Sequence, residues 1–180
     1  RTIMHPSDIP DVPEKSGELY PTDIAVDVEG EWFYRGAKLV REDIIELFLN
    51  CVRLNPGGPS EGKSPFCIEW KQSLCSLDVA DTPFVIARVD KILQNPEESP
   101  KEEAILLSLK HLSTGEILDP STLYVGEDNI LYCRIRGGVF PTRFSRPAYY
   151  QLAEWIEEDA STGGFVLELN GLRYPVAQAA

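Results

Sequence analysis

The sequence predicts an α+β protein built from two similar lobes. Short apolar runs with strand-like alternation recur along the 180 residues, whereas helical spacing is clear in only two segments. A strand precedes each helical segment and a hairpin-like pair of strands follows it, which favours a repeated arrangement over a single mixed sheet. Two pairs of segments carry the likeness. FYRGAKLVREDIIEL from Phe33 is comparable with FPTRFSRPAYYQL from Phe140, and FCIEW from Phe66 is comparable with FVLEL from Phe165.

The chain begins with a segment, residues 1–21, that carries four prolines among polar and acidic residues. Such a composition predicts an extended arm without a core of its own. Strands are predicted next at 24–28 and 31–35. Glu29-Gly30 lies between them and is typical of a tight hairpin turn.

The first helix is predicted over residues 42–52, because Ile44, Leu47, Phe48 and Cys51 recur at helical spacing. We expect these four side chains to form the face of the helix that is buried in the core. Its first turn is acidic, which suits the positive end of a helix dipole. The prolines and glycines of residues 54–65, LNPGGPSEGKSP, then indicate a loop. Apolar runs predict the strands that follow, at 66–70, 74–79 and 84–89.

Residues 94–103, QNPEESPKEE, are polar, charged and interrupted by two prolines. This composition is typical of a connection between compact regions. We therefore expect an N-terminal lobe at 22–93 and a C-terminal lobe at 104–180.

The C-terminal lobe shows the same kinds of signal. A helix is predicted to begin at Ser145 and to end near Glu158, and helical spacing places Tyr149, Leu152, Ala153 and Ile156 together on its buried face. Asn170-Gly171 is a strong hairpin signal. The predicted strands are 105–112, 130–135, 165–169 and 172–176.

The charge of the chain excludes some partners. A formal net charge of -12 and a pI of about 4.6 oppose binding to the phosphates of duplex nucleic acid. A small anion in one basic pocket is still compatible with this charge, because the local field matters more there. No apolar run approaches the roughly 20 residues of a membrane-spanning helix, and no signal peptide is evident. We expect a cytoplasmic protein without a membrane partner.

The residue types that carry metal or acid–base chemistry are sparse. The cysteines show no C-x-x-C spacing and only two histidines accompany them, so we expect buried reduced thiols and no metal site. His111 shares a predicted strand face with Leu107 and Leu109, which favours a structural role. We therefore assign no catalytic residue and favour a protein that is not an enzyme. The cysteines are Cys51, Cys67, Cys75 and Cys133.

Three segments carry a resemblance to a known family: WFYRG from Trp32, DVADTPFV from Asp78 and FSRPAYYQLAEW from Phe144. In this order the chain resembles the bacterial family called domain of unknown function 1285 (DUF1285), over most of residues 21–158. The resemblance implies two α+β lobes with a duplicated core, and a C-terminal lobe similar to pleckstrin-homology-like folds. It also implies a role in signal transduction, with a nucleotide-like ligand bound between the lobes. We expect no cofactor.

A basic segment stands out in this acidic chain. No Asp or Glu occurs from Asn129 to Ala153, whereas four arginines do. If residues 130–136 form a strand, alternation places Tyr132, Arg134 and Arg136 on one face. Ser145 is a good helix N-cap, and the N–H groups of a helix start favour anions. These features predict a site for a small anion, formed by Tyr132, Arg134, Arg136, Arg143, Arg146 and Tyr150.

A structural use of the same arginines is equally consistent with the sequence. They could pair with acidic side chains such as Glu154, Glu157 and Glu158, in the other lobe or across a homodimer. The leading hypothesis is a sensor for a small anionic or nucleotide-like ligand. The alternatives are an adaptor whose acidic face recruits a basic protein and, ranked lower, a hydrolase.

Overall fold

The computed structural model of the chain describes residues 19–57 and 64–179. The chain divides into two compact units between Pro83 and Phe84. Several β-sheets and two α-helices make up the described residues, which confirms the α+β class. The predicted arm at 1–21 lies outside the described residues except for its last three positions.

The first unit contains helix α1 (Glu42–Asn50) and two sheets within its described residues. One sheet has the strand order β3-β2-β1-β7, and the other has the order β4-β5-β6. The strands are β1 Ile24–Val26, β2 Trp32–Tyr34, β3 Ala37–Lys38, β4 Val52–Leu54, β5 Phe66–Trp70, β6 Ser73–Ser76 and β7 Asp78–Val79.

The predicted hairpin near the start of the chain is confirmed by antiparallel pairing of β1 and β2. The carboxylate of Asp27 accepts hydrogen bonds from the backbone N–H groups of Glu29 and Glu31, at 3.0 and 2.9 Å. Gly30 has a φ of 81°, a left-handed conformation that glycine adopts without a steric penalty. Local turn chemistry therefore sets the register of this hairpin.

Helix α1 forms where the sequence predicts it, but its buried side is shifted. It ends at Asn50, and Cys51 follows it as a half-buried residue. Leu47, which we placed on the buried face, is 38% exposed. The buried side chains are two adjacent pairs one turn apart, which pack into the core: Ile44, Ile45, Phe48 and Leu49.

The second unit contains helix α2 (Arg146–Ala153), a seven-stranded sheet of order β10-β9-β8-β13-β12-β11-β17 and a three-stranded sheet of order β14-β15-β16. The strands are β8 Phe84–Gln94, β9 Glu102–Leu109, β10 Glu116–Ile117, β11 Tyr124–Val125, β12 Leu131–Ile135, β13 Phe140–Phe144, β14 Ile156–Glu158, β15 Phe165–Leu169, β16 Leu172–Pro175 and β17 Ala177–Gln178.

The segment at 94–103, which we expected to connect two lobes, lies instead within the second unit. Strands β8 and β9 pair antiparallel as far as Gln94 and Glu102, so the residues between them form the turn of a long hairpin. Charged, proline-containing sequence suits an exposed turn as well as a linker. Only the pairing of β8 with β9 shows that this segment is a turn and not a linker.

Two side-chain amides bind backbone groups of this hairpin where it lacks a neighbouring strand. The side chain of Asn170 accepts from the N–H of Glu103 and donates to its C=O, both at 2.8 Å. On the other strand, Gln151 Oε1 accepts from the N–H of Val89 at 2.8 Å. Each amide thereby replaces part of a missing β-ladder, since buried or half-buried backbone groups need partners.

Helix α2 begins at the predicted place but is shorter than predicted. It ends at Ala153, and Ile156 already pairs with Leu167 in the three-stranded sheet. Leu152 is fully buried, as expected, whereas Tyr149 is 38% exposed. The expectation that Tyr149 and Ile156 share a buried helical face is therefore wrong, because the chain leaves the helix before Ile156.

Candidate functional site

Three of the six predicted site residues lie together on one face of the seven-stranded sheet. Tyr132 on β12 is directly opposite Arg143 on β13, and Arg134 is opposite Pro141. Side chains directly opposite each other in an antiparallel pair have Cβ atoms about 4.5–5.5 Å apart, and diagonal neighbours are still within reach. Cys133, between the two β12 residues, points into the core. We call Tyr132, Arg134 and Arg143 the basic sheet face.

A second tyrosine extends this face. Tyr124 on β11 pairs with Tyr132, and their rings stack with centroids 5.2 Å apart and planes 13° apart. Gly126 passes close to the same ring, because a Cβ placed there would lie 2.8 Å from Tyr132 Cε2. The ring of Tyr132 is thus held by a stacking partner and by a close backbone contact.

The arginines of the chain differ in their partners. Five described arginines have a carboxylate within 4 Å, and most of these five are exposed surface residues. By contrast, no described carboxylate lies within 4 Å of the guanidinium of Arg134 or of Arg146. The paired arginines are Arg35 with Asp23, Arg41 with Asp43, Arg53 with Glu69, Arg88 with Asp90 and Arg136 with Glu116.

Arg136 does not join the basic sheet face. It follows the end of β12 with a φ of 52°, so the strand alternation that we used no longer applies to it. Its guanidinium lies 3.5 Å from Glu116 and 4.8 Å from the centroid of the Phe84 ring. Its backbone N–H also donates to Glu116, at 3.0 Å. The structural use of an arginine is therefore observed at this position.

The start of α2 offers fewer donors than the sequence suggests. Ser145 is the N-cap, as predicted, and its hydroxyl accepts from the N–H of Ala148 at 3.3 Å. Pro147 has no N–H, and the N–H of Tyr149 donates to the Ser145 carbonyl at 2.8 Å. Among first-turn donors in the described structure, only the N–H of Arg146 is left without a partner. The helix start alone is a weak anion site.

Arg146 and Tyr150 are carried by α2 and not by the sheet. Both are exposed, and the ring of Tyr150, 61% exposed, packs edge-on against Tyr149 with centroids 5.4 Å apart. Arg146 follows Arg143 by three positions, which limits their Cα separation to about 11 Å. Arg146 is thus a flanking charge next to the basic sheet face.

The cysteines are free thiols, and three of them are fully buried. Burial raises the pKa of Cys133 far above its usual value, and it raises the pKa of Cys75 to about 11. A buried, protonated thiol is a poor nucleophile. The neighbouring Arg134 does not change this, because it points to the opposite face of β12.

His111 differs from its predicted environment. Strand β9 ends at Leu109, and His111 lies in the following turn with a φ of 67°. It therefore does not share a strand face with the buried leucines. Among the described residues, no three His, Cys, Asp or Glu side chains are grouped to hold a metal ion. In the same residues, no helix has the length and apolar character needed to cross a membrane.

Sequence reasoning missed Tyr124 and Gly126. A signal was present, because Gly126 to Asn129 is a turn-like run between Tyr-Val and Leu-Tyr, which is typical of a hairpin. Recognising that hairpin would have placed Tyr124 opposite Tyr132. The strand β11 has only two residues, so alternation could not reveal it.

Comparison with known proteins gives a fold likeness. No protein-family model and no curated protein matches the chain. The crystal structure of a DUF1285 family protein from Silicibacter pomeroyi DSS-3 is similar, with a TM-score of 0.65 and 18% identity over 90% of this chain and 84% of that one. A DUF1285 family protein from Shewanella baltica OS155 has a TM-score of 0.53 and 15% identity, over 74% of this chain and 91% of that one. The predicted resemblance to the DUF1285 family is confirmed at the level of the fold.

Proposed function

We propose that the protein binds a small anionic, nucleotide-like ligand on the basic sheet face and acts as a sensor in signal transduction. The observation that carries the proposal is the register of β12 and β13, which places Tyr132 and Arg143 directly opposite each other with Arg134 on the same face. Arginine presents a planar fork of donors that fits phosphate and carboxylate oxygens. An aromatic ring beside it suits a planar base.

The charges around this face support an anion. Residues 129–153 contain no acid, and no described carboxylate pairs with Arg134 although the chain has a net charge of -12. In a protein so rich in acid, a guanidinium can readily find a carboxylate, as Arg88 finds Asp90 at 2.8 Å on the same sheet. An exposed arginine without such a partner keeps its donors available for a ligand.

The neighbourhood of Tyr132 supports an aromatic component in the ligand. Stacking on Tyr124 and the close approach of Gly126 fix the ring, so little side-chain entropy is lost when a ligand contacts it. Stacking of a base on an aromatic side chain contributes about 1–3 kcal/mol. A ligand with both a base and a phosphate would use both parts of the face.

The test is isothermal titration calorimetry with ATP and with inorganic pyrophosphate, accompanied by thermal-shift measurements. We expect Arg134→Ala to weaken the binding of both probes about ten- to a hundredfold, because a hydrogen bond to a charged group is lost. Tyr132→Leu should weaken the binding of ATP but leave the binding of pyrophosphate nearly unchanged. Arg146→Ala should have a smaller effect on both probes than Arg134→Ala.

Arg88→Ala is the matched control, since Arg88 is an exposed arginine on the same sheet with a carboxylate partner. It should leave the affinity for both probes unchanged. If neither probe binds the parent protein, or if Arg88→Ala and Arg134→Ala act equally, the proposal is wrong. Binding of a basic protein that is insensitive to Arg134→Ala would favour the adaptor role instead.

A further inference from the structure

The outward side of helix α2 carries three side chains in a row, with opposite charges at the two ends. Arg146, Tyr150 and Glu154 follow one another at intervals of four residues, and all three are exposed. Glu154 is the C-cap and keeps right-handed helical dihedral angles, so the row continues through it. The buried side chains of the helix, Ala148 and Leu152, lie on the opposite side. We call Arg146, Tyr150 and Glu154 the outer row of α2.

The composition of the outer row is typical of a contact surface. Within the part of the chain that the structure describes, Glu154 has no Lys, Arg or His side chain within 4 Å of its carboxylate, just as Arg146 has no carboxylate partner. Tyr150 packs edge-on against Tyr149 and is still 61% exposed. Tyrosine and arginine are enriched at the centres of protein interfaces, where they contribute much of the binding energy.

We propose that α2 is the contact surface of a weak homodimer, in which the α2 helices of two copies pack antiparallel with each Tyr150 near the two-fold axis. The reversed direction places Arg146 of one copy opposite Glu154 of the other, and the two-fold axis makes this contact twice. Packed helices lie about 8–10 Å apart, which these long side chains can span. In a parallel pair, like charges would meet instead.

The order of charges favours a second copy over a different partner. A uniformly acidic or uniformly basic surface would match one end of the outer row and repel the other, whereas an antiparallel copy matches both ends. The net charge of -12 opposes self-association in general. Because residues 129–153 contain no acid and include all of α2, two copies meet with less repulsion there than over the acidic rest of the chain.

The size of the surface sets the expected strength. Helix α2 has eight residues, so it is about 12 Å long and buries a small area. Interfaces below about 1,200 Å² are typical of weak or transient complexes. We therefore expect a dissociation constant of about 10–500 μM. The dimer requires neither Tyr132 nor Arg134, so it is independent of the proposed ligand site.

The test is sedimentation velocity at increasing protein concentration, without added ligand. Arg146→Glu or Glu154→Arg alone places like charges opposite each other at two symmetric contacts, which should weaken the dimer at least about tenfold. The combined variant exchanges the two charges and should restore the dimer. Both positions are exposed, and each new charge suits the helix dipole, so folding should be retained. Circular dichroism verifies this.

Glu98→Arg and Lys101→Glu are the matched controls, since they make the same changes in net charge within an exposed turn of the same unit. They should leave dimerisation nearly unchanged. A parent protein that is monomeric at about 1 mM would overturn the proposal. So would a dimer that the single reversals leave intact, a combined variant that stays monomeric, or controls that act as strongly as the single reversals.

Discussion

The two helix-containing parts of the chain have the same order of elements, but they stabilise their helices differently. We call residues 42–76 the first helix–sheet segment and residues 146–175 the second. In the first, α1 precedes the meander β4-β5-β6, and in the second, α2 precedes the meander β14-β15-β16. Each helix is therefore followed by a three-stranded meander, where the sequence predicts a hairpin-like pair of strands. The similarity of the two lobes stays a prediction.

The first helix–sheet segment depends on apolar burial. Four side chains of α1 are buried, including Phe48, which stacks on Trp32. The N-cap position is Arg41, whose side chain makes no capping hydrogen bond. Two acids in the first turn, Glu42 and Asp43, interact favourably with the helix dipole instead.

The second helix–sheet segment depends more on polar contacts. Only Ala148 and Leu152 of α2 are buried, and the helix is held by the Ser145 cap and by the bond from Val89 to Gln151. Its first turn has no acid and carries Arg146. One order of elements thus tolerates two sources of stability. The segment with less apolar burial is the one that adjoins the basic sheet face.

The largest effect is expected for Phe48→Ala, which removes the ring between two tryptophans. We expect a loss of about 3–5 kcal/mol in the free energy of unfolding, from lost burial and the resulting cavity. Urea denaturation measures it. Leu47→Ala is the control, because Leu47 is 38% exposed and should matter much less. Equal losses for both variants would refute the account of α1.

Leu152→Ala tests the apolar part of the second helix–sheet segment. Leu152 is fully buried on α2, so we expect a loss of about 2–5 kcal/mol in unfolding free energy. Tyr149→Ala, on the exposed side of the same helix, should cost less. A Leu152→Ala protein as stable as the parent would show that α2 does not contribute to the core.

Gln151→Leu tests the polar part. The change leaves the N–H of Val89 without its acceptor, which should cost about 1–3 kcal/mol. Hydrogen exchange at the Val89 amide should become faster. Gln151→Glu keeps an acceptor oxygen and should retain most of the stability. Unchanged exchange in Gln151→Leu would mean that the amide is not held by this bond.

The smallest effect is expected at the helix caps. Ser145→Ala removes the acceptor for the Ala148 N–H and should cost about 0.5–2 kcal/mol. Ser145→Thr should keep most of this stability. Arg41→Ala, at the equivalent position of α1, removes no cap and should change stability less than Ser145→Ala. The reverse order would contradict the proposed difference between the two segments.

Elements with a complete local signal were predictable. The strand alternation at 131–135, the N-cap at Ser145 and the Asn170-Gly171 turn are all observed. Where the local signal was ambiguous, the predictions failed. The predicted end of α2 was too late, and the segment at 94–103 was assigned as a linker and not as a hairpin turn. The pleckstrin-homology-like character of the C-terminal lobe and the cytoplasmic location stay predictions.

The alternation of side chains along β12 follows from the sequence, because backbone geometry sends successive side chains to opposite faces. Which arginines share a surface depends instead on tertiary contacts. Arg136 binds Glu116, twenty positions earlier, whereas Arg143 comes to lie opposite Tyr132 through the pairing of β12 with β13. Local patterns fix dihedral angles and the direction of a side chain. Partners that are distant in sequence are selected by strand register and packing, which no short stretch of the chain encodes.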